Sequence, residues 1–174
     1  MTKLWVMCGV PGTGKSTWIK NNLSKFEGEV EVISRDEIRF SMVSEGEEYF
    51  SKEDEVFKEF INRIKIALDT KDNVIVDATH LNIGSRSKLL RALGRSLKNV
   101  EVNAIVLKAD VNFSLARNEN RKNTRAYVPK SVIRRMHSQF TTPCFEEGFT
   151  NIHVCLLTDT GEHWSVFRYQ EERF

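Results

Sequence analysis

The sequence predicts an α/β fold in which a mostly parallel central sheet is flanked by helices, giving three layers. Short apolar runs alternate along the chain with amphipathic helical patterns. No repeat, low-complexity tract or Pro/Gly/Ser-rich linker interrupts this alternation. The length of 174 residues suits one buried core. We therefore predict a single domain over residues 1–174.

The predicted elements follow from the spacing of apolar residues. Apolar runs with the length of buried strands fall at residues 4–8, 30–33, 74–76, 100–107 and 151–157. Apolar residues at helical spacing fall at residues 15–25, 52–69, 84–97, 113–120 and 130–139. Pro129 precedes the last of these helices, where proline is favoured at about the first position.

The composition is typical of a soluble protein. Hydrophobic residues make up 40% and charged residues 29% of the chain. No apolar run approaches the roughly 18 residues that a membrane span needs. The N-terminus has neither the length nor the cleavage pattern of a signal peptide. We expect a cytoplasmic protein that does not contact a membrane.

The net charge of +2 hides a strong asymmetry along the chain. Residues 27–59 contain twelve acids and four bases, whereas residues 84–139 contain thirteen bases and three acids. Such a difference favours contact between the basic part and a polyanion. A local charge excess taken by itself is more often an ordinary solvated face, so both interpretations stay open.

Residues 9–16 match the GxxxxGK[ST] phosphate-binding loop, or P-loop. The glycines allow backbone N–H groups to turn inward around phosphates, and Lys15 can reach the β- and γ-phosphates. The Ser16 hydroxyl suits Mg²⁺ at the start of a helix whose dipole favours anions. The fold is therefore predicted to be that of a P-loop NTPase. The predicted nucleotide-binding residues here are Gly9, Pro11, Gly12, Thr13, Gly14, Lys15, Ser16 and Thr17.

The expected nucleotide is ATP, because the chain has no Asn-Lys-x-Asp guanine signature. Mg²⁺ is the expected cofactor because Mg²⁺ bridges the phosphates in P-loop enzymes.

A candidate acceptor site follows the second predicted strand. Asp36 comes just after this strand and is expected at the carboxyl edge of the sheet, beside the P-loop. A carboxylate there can accept the proton of an attacking hydroxyl group. Arg39 would share a helix face with Asp36 and could bind an acceptor phosphate. An N-cap aspartate followed by a surface arginine explains the same segment equally well.

Four motifs occur in order along the chain: Gly-Val-Pro-Gly-Thr-Gly-Lys-Ser-Thr-Trp at 9–18, Ser-Arg-Asp-Glu-Ile-Arg at 34–39, Asp-Ala-Thr-His-Leu-Asn at 77–82 and Val-Pro-Lys-Ser-Val-Ile at 128–133. Together they resemble the motifs of the polynucleotide 5′-hydroxyl kinases, namely the bacteriophage end-healing enzymes and the kinase half of the animal DNA-repair enzyme. Residues 140–149 resemble the animal enzyme in particular, and the matches extend from about residue 3 to 154.

The resemblance implies a set of site residues around the P-loop. Asp36 would be the catalytic base, and Asp77 would lie near the acceptor and the metal. Lys15, at the phosphates, is a further expected catalytic residue. The substrate contacts expected on this basis are Arg39, Asp77, Thr79 and Arg86, and the expected metal ligands are Ser16 and Asp36. The acceptor partner implied is the 5′-hydroxyl end of a nucleic acid.

A basic segment precedes Pro129 and is predicted to be a lid. Arg117 and Arg121 lie four residues apart, and Arg125 follows. Arginines on a mobile segment can stabilise the charge that develops during phosphoryl transfer. By the order of the resembled motifs, Arg121 is the best match for the arginine that contacts ATP, Arg117 is second, and Arg125 stays open. A solvated basic loop is the alternative.

Two other functions are compatible with the motifs. The chain could be a small-molecule or nucleotide kinase of the same superfamily, which its compact size and modest net charge allow. It could also be a nucleotide-dependent switch or binding ATPase. The pairing of Asp36 with Arg39 argues against the switch, because a switch requires no base for an acceptor. The sequence makes no prediction about the oligomeric state.

Overall fold

The computed structural model describes residues 1–157 and, as backbone alone, residues 163–170. Its strands are β1 (Lys3–Cys8), β2 (Val30–Ser34), β3 (Asn73–Asp77), β4 (Glu101–Lys108), β5 (Asn151–Leu157) and β6 (His163–Gln170). Its α-helices are α1 (Lys15–Asn22), α2 (Arg35–Met42), α3 (Glu53–Thr70), α4 (Ile83–Leu93), α5 (Val111–Glu119) and α6 (Lys130–Gln139). Short 3₁₀ segments cover Leu23–Lys25, Gly94–Leu97 and Phe145–Glu147.

The six strands form one sheet in the order β2-β3-β1-β4-β5-β6. The first five of these are parallel, and β6 pairs with β5 in the antiparallel sense. Strand β1, at the centre, alternates its side chains between two apolar clusters. Leu4 and Val6 pack in the cluster that includes α3 and α4, whereas Met7 packs in the cluster that includes α1. The predicted three-layer α/β fold of the P-loop class is confirmed.

The predicted element boundaries differ from the structure where a single residue changes the backbone. The helix predicted over residues 84–97 ends at Leu93, because Gly94 adopts a φ of +48°. The helix predicted over 113–120 begins earlier, at Val111, where Asp110 accepts a hydrogen bond of 2.7 Å from the backbone N–H of Asn112.

Helix α2 follows β2 without an intervening loop. Ser34 is the last residue of the strand and also the N-cap of the helix, since its hydroxyl accepts a hydrogen bond from the Glu37 N–H at 3.3 Å. A helix of eight residues presents too few apolar positions to be recognised by periodicity alone. This direct junction fixes the direction in which α2 leaves the sheet.

Within the residues that the structure describes, no helix combines the length and the apolar character needed to cross a membrane.

Candidate active site

The carboxyl edge of the sheet gathers the P-loop, α2 and Asp77. Ser34 and Asp77 are register partners at the ends of adjacent parallel strands. The P-loop follows β1, which pairs with β3 on the other side. Ligands bind at this edge in open α/β sheets, because loops from neighbouring strands converge there.

The P-loop requires glycine for two reasons. Gly12 and Gly14 have φ angles of +88° and +84°, in the left-handed region that favours glycine. A Cβ atom on Gly12 would lie 2.6 Å from the carbonyl oxygen of Ser114 in α5, and one on Gly9 would lie 2.7 Å from that of Leu107. The loop is therefore packed against β4 and α5, which fixes its shape.

The Lys15 ammonium group lies within the loop. It donates hydrogen bonds to the carbonyls of Gly9 at 2.8 Å and Val10 at 3.2 Å. Burial lowers the pKa of Lys15, the charges of Asp77 and Asp36 oppose this effect, and Arg121 lowers the pKa further. Lys15, both carboxylates and Arg121 thus form one electrostatic group.

Ser16 and Asp77 form the part of the site that fits a metal ion. The Ser16 hydroxyl donates to Asp77 Oδ2 at 3.1 Å. Burial raises the pKa of Asp77, against the opposing effects of Lys15 and the bond from Ser16. Hydroxyl and carboxylate oxygens are hard ligands, and phosphate-bound Mg²⁺ takes only one or two from the protein. Asp77, which was expected near the metal, is the carboxylate in contact with Ser16, and the role of Asp36 as a metal ligand stays a prediction.

Asp36 is the second residue of α2, so the interpretation as an N-cap is wrong. Its side chain is 62% exposed. Arg39 Nη1 and the Tyr49 hydroxyl, at 2.9 Å, both donate to Oδ1. Burial and then the charge of Asp36 raise the pKa of Tyr49 to about 12, so the phenol remains a donor at neutral pH. Both of these bonds go to Oδ1, and among the described residues no donor bonds to Oδ2.

Arg39 does not reach outward to an acceptor as predicted. It is 5% exposed, and its Nε and Nη2 atoms donate to Glu53 Oε2 at 3.2 and 2.9 Å. Its Nη1 atom also donates to the Tyr49 hydroxyl at 3.0 Å. Burial disfavours the charged form, but Glu53, Tyr49 and Asp36 together raise the pKa of Arg39. Arg39 therefore positions Asp36 and keeps little capacity for a substrate.

Arg86 also differs from its predicted role as a substrate contact. Its side chain is fully buried and forms a two-bond ion pair with Glu147, at 2.7 and 2.8 Å. Nη1 donates to the carbonyls of His80 and Thr141. These bonds join α4 to the chain that follows α6, so Arg86 is structural here. Thr79 contributes its carbonyl to the P-loop, accepting from Gly9 N–H at 2.9 Å.

The predicted lid is the loop of residues 120–129 between α5 and α6. The C-terminal end of this loop is bonded to α5. The amide side chain of the buried Asn118 exchanges two hydrogen bonds, of 2.7 and 3.0 Å, with the backbone of Val128. Arg121 lies at the start of the lid, near enough to Lys15 to affect its pKa. Arg117 is half-buried on α5, with its guanidinium 5.7 Å from the ring of Phe113.

Arg125, for which a nucleotide contact stayed open, lies against α2. It donates to the carbonyl of Val43 at 2.5 Å and of Phe40 at 3.4 Å. Its guanidinium also lies 4.8 Å from the centre of the Phe40 ring. In this conformation Arg125 contacts α2, whereas Arg121 is the lid arginine whose charge acts on Lys15.

The sequence did not predict the contacts of Tyr49 and Glu53 with Asp36 and Arg39, or the bonds of Asn118 to the end of the lid. Tyr49 and Glu53 lie 13 and 17 positions after Asp36, and no local pattern links such positions. Asn118 occurs inside a helical run, where asparagine is unfavourable unless its amide has a specific partner. That last feature is the one signal that the sequence contained.

A P-loop with its lysine and serine and two carboxylates at the same edge of the sheet define a P-loop kinase-like domain that binds a nucleotide. The sequence also matches a family model described as "AAA domain" over residues 4–143. The chain belongs to this AAA domain family.

Several solved structures share the fold. A chain of the Pnkp1/Rnl/Hen1 RNA repair complex superposes with a TM-score of 0.68 at 24% identity, covering 79% of this chain and 43% of that one. Kti12 of Chaetomium thermophilum, solved with ADP-AlF3, superposes with a TM-score of 0.61 at 18% identity, covering 90% of each chain. A gluconokinase of Sinorhizobium meliloti 1021 superposes with a TM-score of 0.57 at 15% identity, covering 90% of this chain and 83% of that one. This chain thus spans less than half of the RNA-repair chain that it resembles.

Proposed function

We propose that this chain is an ATP-dependent kinase that transfers the γ-phosphate to the 5′-hydroxyl group of a DNA or RNA end. The observation that carries the proposal is the position of Asp36. This exposed carboxylate lies at the same sheet edge as the P-loop and acts electrostatically on Lys15. A base so placed serves transfer to an alcohol, whereas a switch that only binds and hydrolyses ATP has no need of it.

The nucleotide side of the proposed reaction uses groups that already converge. The N–H groups of the P-loop and the N-terminus of α1 bind the phosphates. Lys15 exchanges its bonds to the Gly9 and Val10 carbonyls for bonds to phosphate oxygens. Ser16 and Asp77 would hold Mg²⁺, which would neutralise charge on the β- and γ-phosphates.

On the acceptor side, Asp36 accepts the proton of the 5′-hydroxyl group as its oxygen attacks the γ-phosphorus. A new P–O bond forms, the bond from the γ-phosphorus to the bridging oxygen breaks, and ADP departs with the bonding electrons. Arg39 and Tyr49 keep the Asp36 carboxylate oriented. Arg121, beside Lys15, stabilises the charge that develops on the transferred group.

The choice of a polynucleotide over a small acceptor is supported by charge. Residues 84–139 carry thirteen bases against three acids, and several of the bases are exposed, including Arg134 and Arg135 on α6. A polyanion interacts favourably with such a surface. The likeness to a chain of an RNA repair complex supports the same choice at the level of fold.

The test is transfer of radiolabelled phosphate from ATP to a panel of acceptors: 5′-hydroxyl oligonucleotides, nucleosides, nucleoside 3′-monophosphates and gluconate. We expect an eight-base oligonucleotide to have the highest kcat/KM. Its apparent affinity should fall with salt, with a log–log slope of about 0.7 per phosphate contacted. Asp36→Asn is the control for background transfer.

A small-molecule kinase remains the second candidate, because the gluconokinase shares the fold. That candidate predicts efficient transfer to a small acceptor and almost no dependence on salt, since a small acceptor displaces few counterions. Equal efficiency for the monophosphate and the oligonucleotide at two salt concentrations would refute the polynucleotide proposal.

A further inference from the structure

Three aromatic side chains, Phe40, Tyr49 and Phe50, form a cluster between α2 and α3. The Tyr49 and Phe50 rings meet edge to face with centroids 4.8 Å apart, and the Phe40 and Tyr49 rings are 6.2 Å apart. Phe40 lies in α2, and the other two lie in the loop before α3. We refer to these three residues as the aromatic cluster.

The aromatic cluster is joined directly to the proposed catalytic base. The Tyr49 hydroxyl donates to Asp36. The Arg39 guanidinium, which also binds Asp36, lies 4.6 Å from the centre of the Tyr49 ring and 5.4 Å from that of Phe50. One guanidinium group therefore separates the Phe50 ring from the carboxylate. We therefore expect a nucleotide whose 5′-hydroxyl group contacts Asp36 to bring its own base near that ring.

Phe50 is 59% exposed, although its neighbours in the cluster are half-buried. A single exposed apolar side chain is common on protein surfaces, so exposure alone indicates nothing. Phe50 differs in its position, because Arg39 and Tyr49 support its ring beside the site of transfer. A supported aromatic ring beside arginine is the arrangement on which unpaired bases stack in single-strand-binding proteins.

We propose that Phe50 is the platform on which the terminal base of the acceptor stacks while its 5′-hydroxyl group is phosphorylated. This inference rests on the proposed function and specifies the acceptor as a nucleotide that carries a base with a free π-face at its 5′ end. Every nucleobase has a π-face, so the platform selects for the presence of a base and tolerates its identity.

The test compares two oligonucleotides that both carry a 5′-hydroxyl group and differ at the first position, which has either a base or an abasic tetrahydrofuran residue. The measured quantity is the ratio of their kcat/KM values. We expect the wild-type chain to prefer the base about tenfold. Phe50→Leu should lower this ratio to near one, while Phe50→Tyr should retain it. The matched control is Ile66→Ala on α3, because Ile66 is 58% exposed and is not part of the cluster.

The outcomes separate this inference from the proposed function. Transfer to both oligonucleotides at equal efficiency would refute the platform and leave the 5′-hydroxyl kinase standing. A tenfold preference that survives in Phe50→Leu would also refute it, because another residue would then bind the base. Transfer to neither oligonucleotide would reject the proposed function, and the platform with it.

Discussion

Replacing Arg86 by methionine tests whether this residue binds substrate or holds the fold together. Methionine keeps much of the side-chain volume but removes the charge and all the donors. The change would leave the Glu147 carboxylate, which is 5% exposed, without its partner. It would also remove donors from the carbonyls of His80 and Thr141. Breaking a buried ion pair by removing one member costs about 3–5 kcal/mol.

For a domain of this length, each kcal/mol corresponds to roughly 2–4 °C in Tm. We therefore expect Arg86→Met to lower Tm by about 6–20 °C, measured by circular dichroism at neutral pH. The control is Arg91→Met on the same helix, because Arg91 is exposed and bonds only to the Ser87 carbonyl among the described residues. Its Tm should stay within about 2 °C of wild type.

A second variant separates loss of the ion pair from loss of the arginine alone. Burial acts to raise the pKa of Glu147, but Arg86 and the bond from Cys144 N–H reverse this and lower it. Without Arg86 the buried carboxylate is uncompensated, so Arg86→Met/Glu147→Leu should recover part of the lost stability. Unchanged stability in Arg86→Met, combined with a raised KM for the acceptor, would contradict the structural role and restore the predicted substrate contact.

Three further predictions concern the site. Lys15→Ala should abolish both phosphate transfer and tight ATP binding, whereas Asp36→Asn should abolish transfer and retain ATP binding, as measured by calorimetry. Equal loss of ATP affinity in both variants would place Asp36 in the nucleotide-binding site. Arg121→Ala should lower kcat by about a thousandfold, and Arg125→Ala should lower it much less, because Arg125 bonds to α2. The reverse ranking would show that Arg125, and not Arg121, is the lid arginine that acts on the transferred phosphate. Burial lowers the pKa of His80 to about 4 in the folded chain. In the unfolded chain the imidazole has its ordinary pKa of about 6.5, so between pH 6.5 and 4 the unfolded chain is protonated and the folded chain is not. The free energy of unfolding should therefore fall by about 3 kcal/mol as the pH drops through this range. Urea titrations of wild type and His80→Asn at pH 7 and 4.5 measure this loss, and equal losses in both would exclude His80 as its source.

Much of the fold and the nucleotide side of the site could be predicted from the sequence, because both depend on local patterns. The P-loop is one continuous segment in which glycine, lysine and serine each have a separate requirement. The apolar runs place Asp77 at a strand end, and the structure confirms that position. The elements most difficult to predict were short, such as α2, in which eight residues follow a strand without a loop.

The acceptor side was decided by tertiary structure, because its contacts join residues that are distant along the chain. Arg39 and Arg86 each carry a guanidinium group, which is a common phosphate-binding group in substrate sites. Whether an arginine points to solvent or to a buried carboxylate depends on where Glu53 and Glu147 come to lie. Charge and spacing identify groups that can bind phosphate, but only packing determines which of their donors remain free. For that reason the phosphate-binding loop and the α/β fold follow from the sequence by itself, whereas only the tertiary structure determines that Arg39 and Tyr49 bond to Asp36.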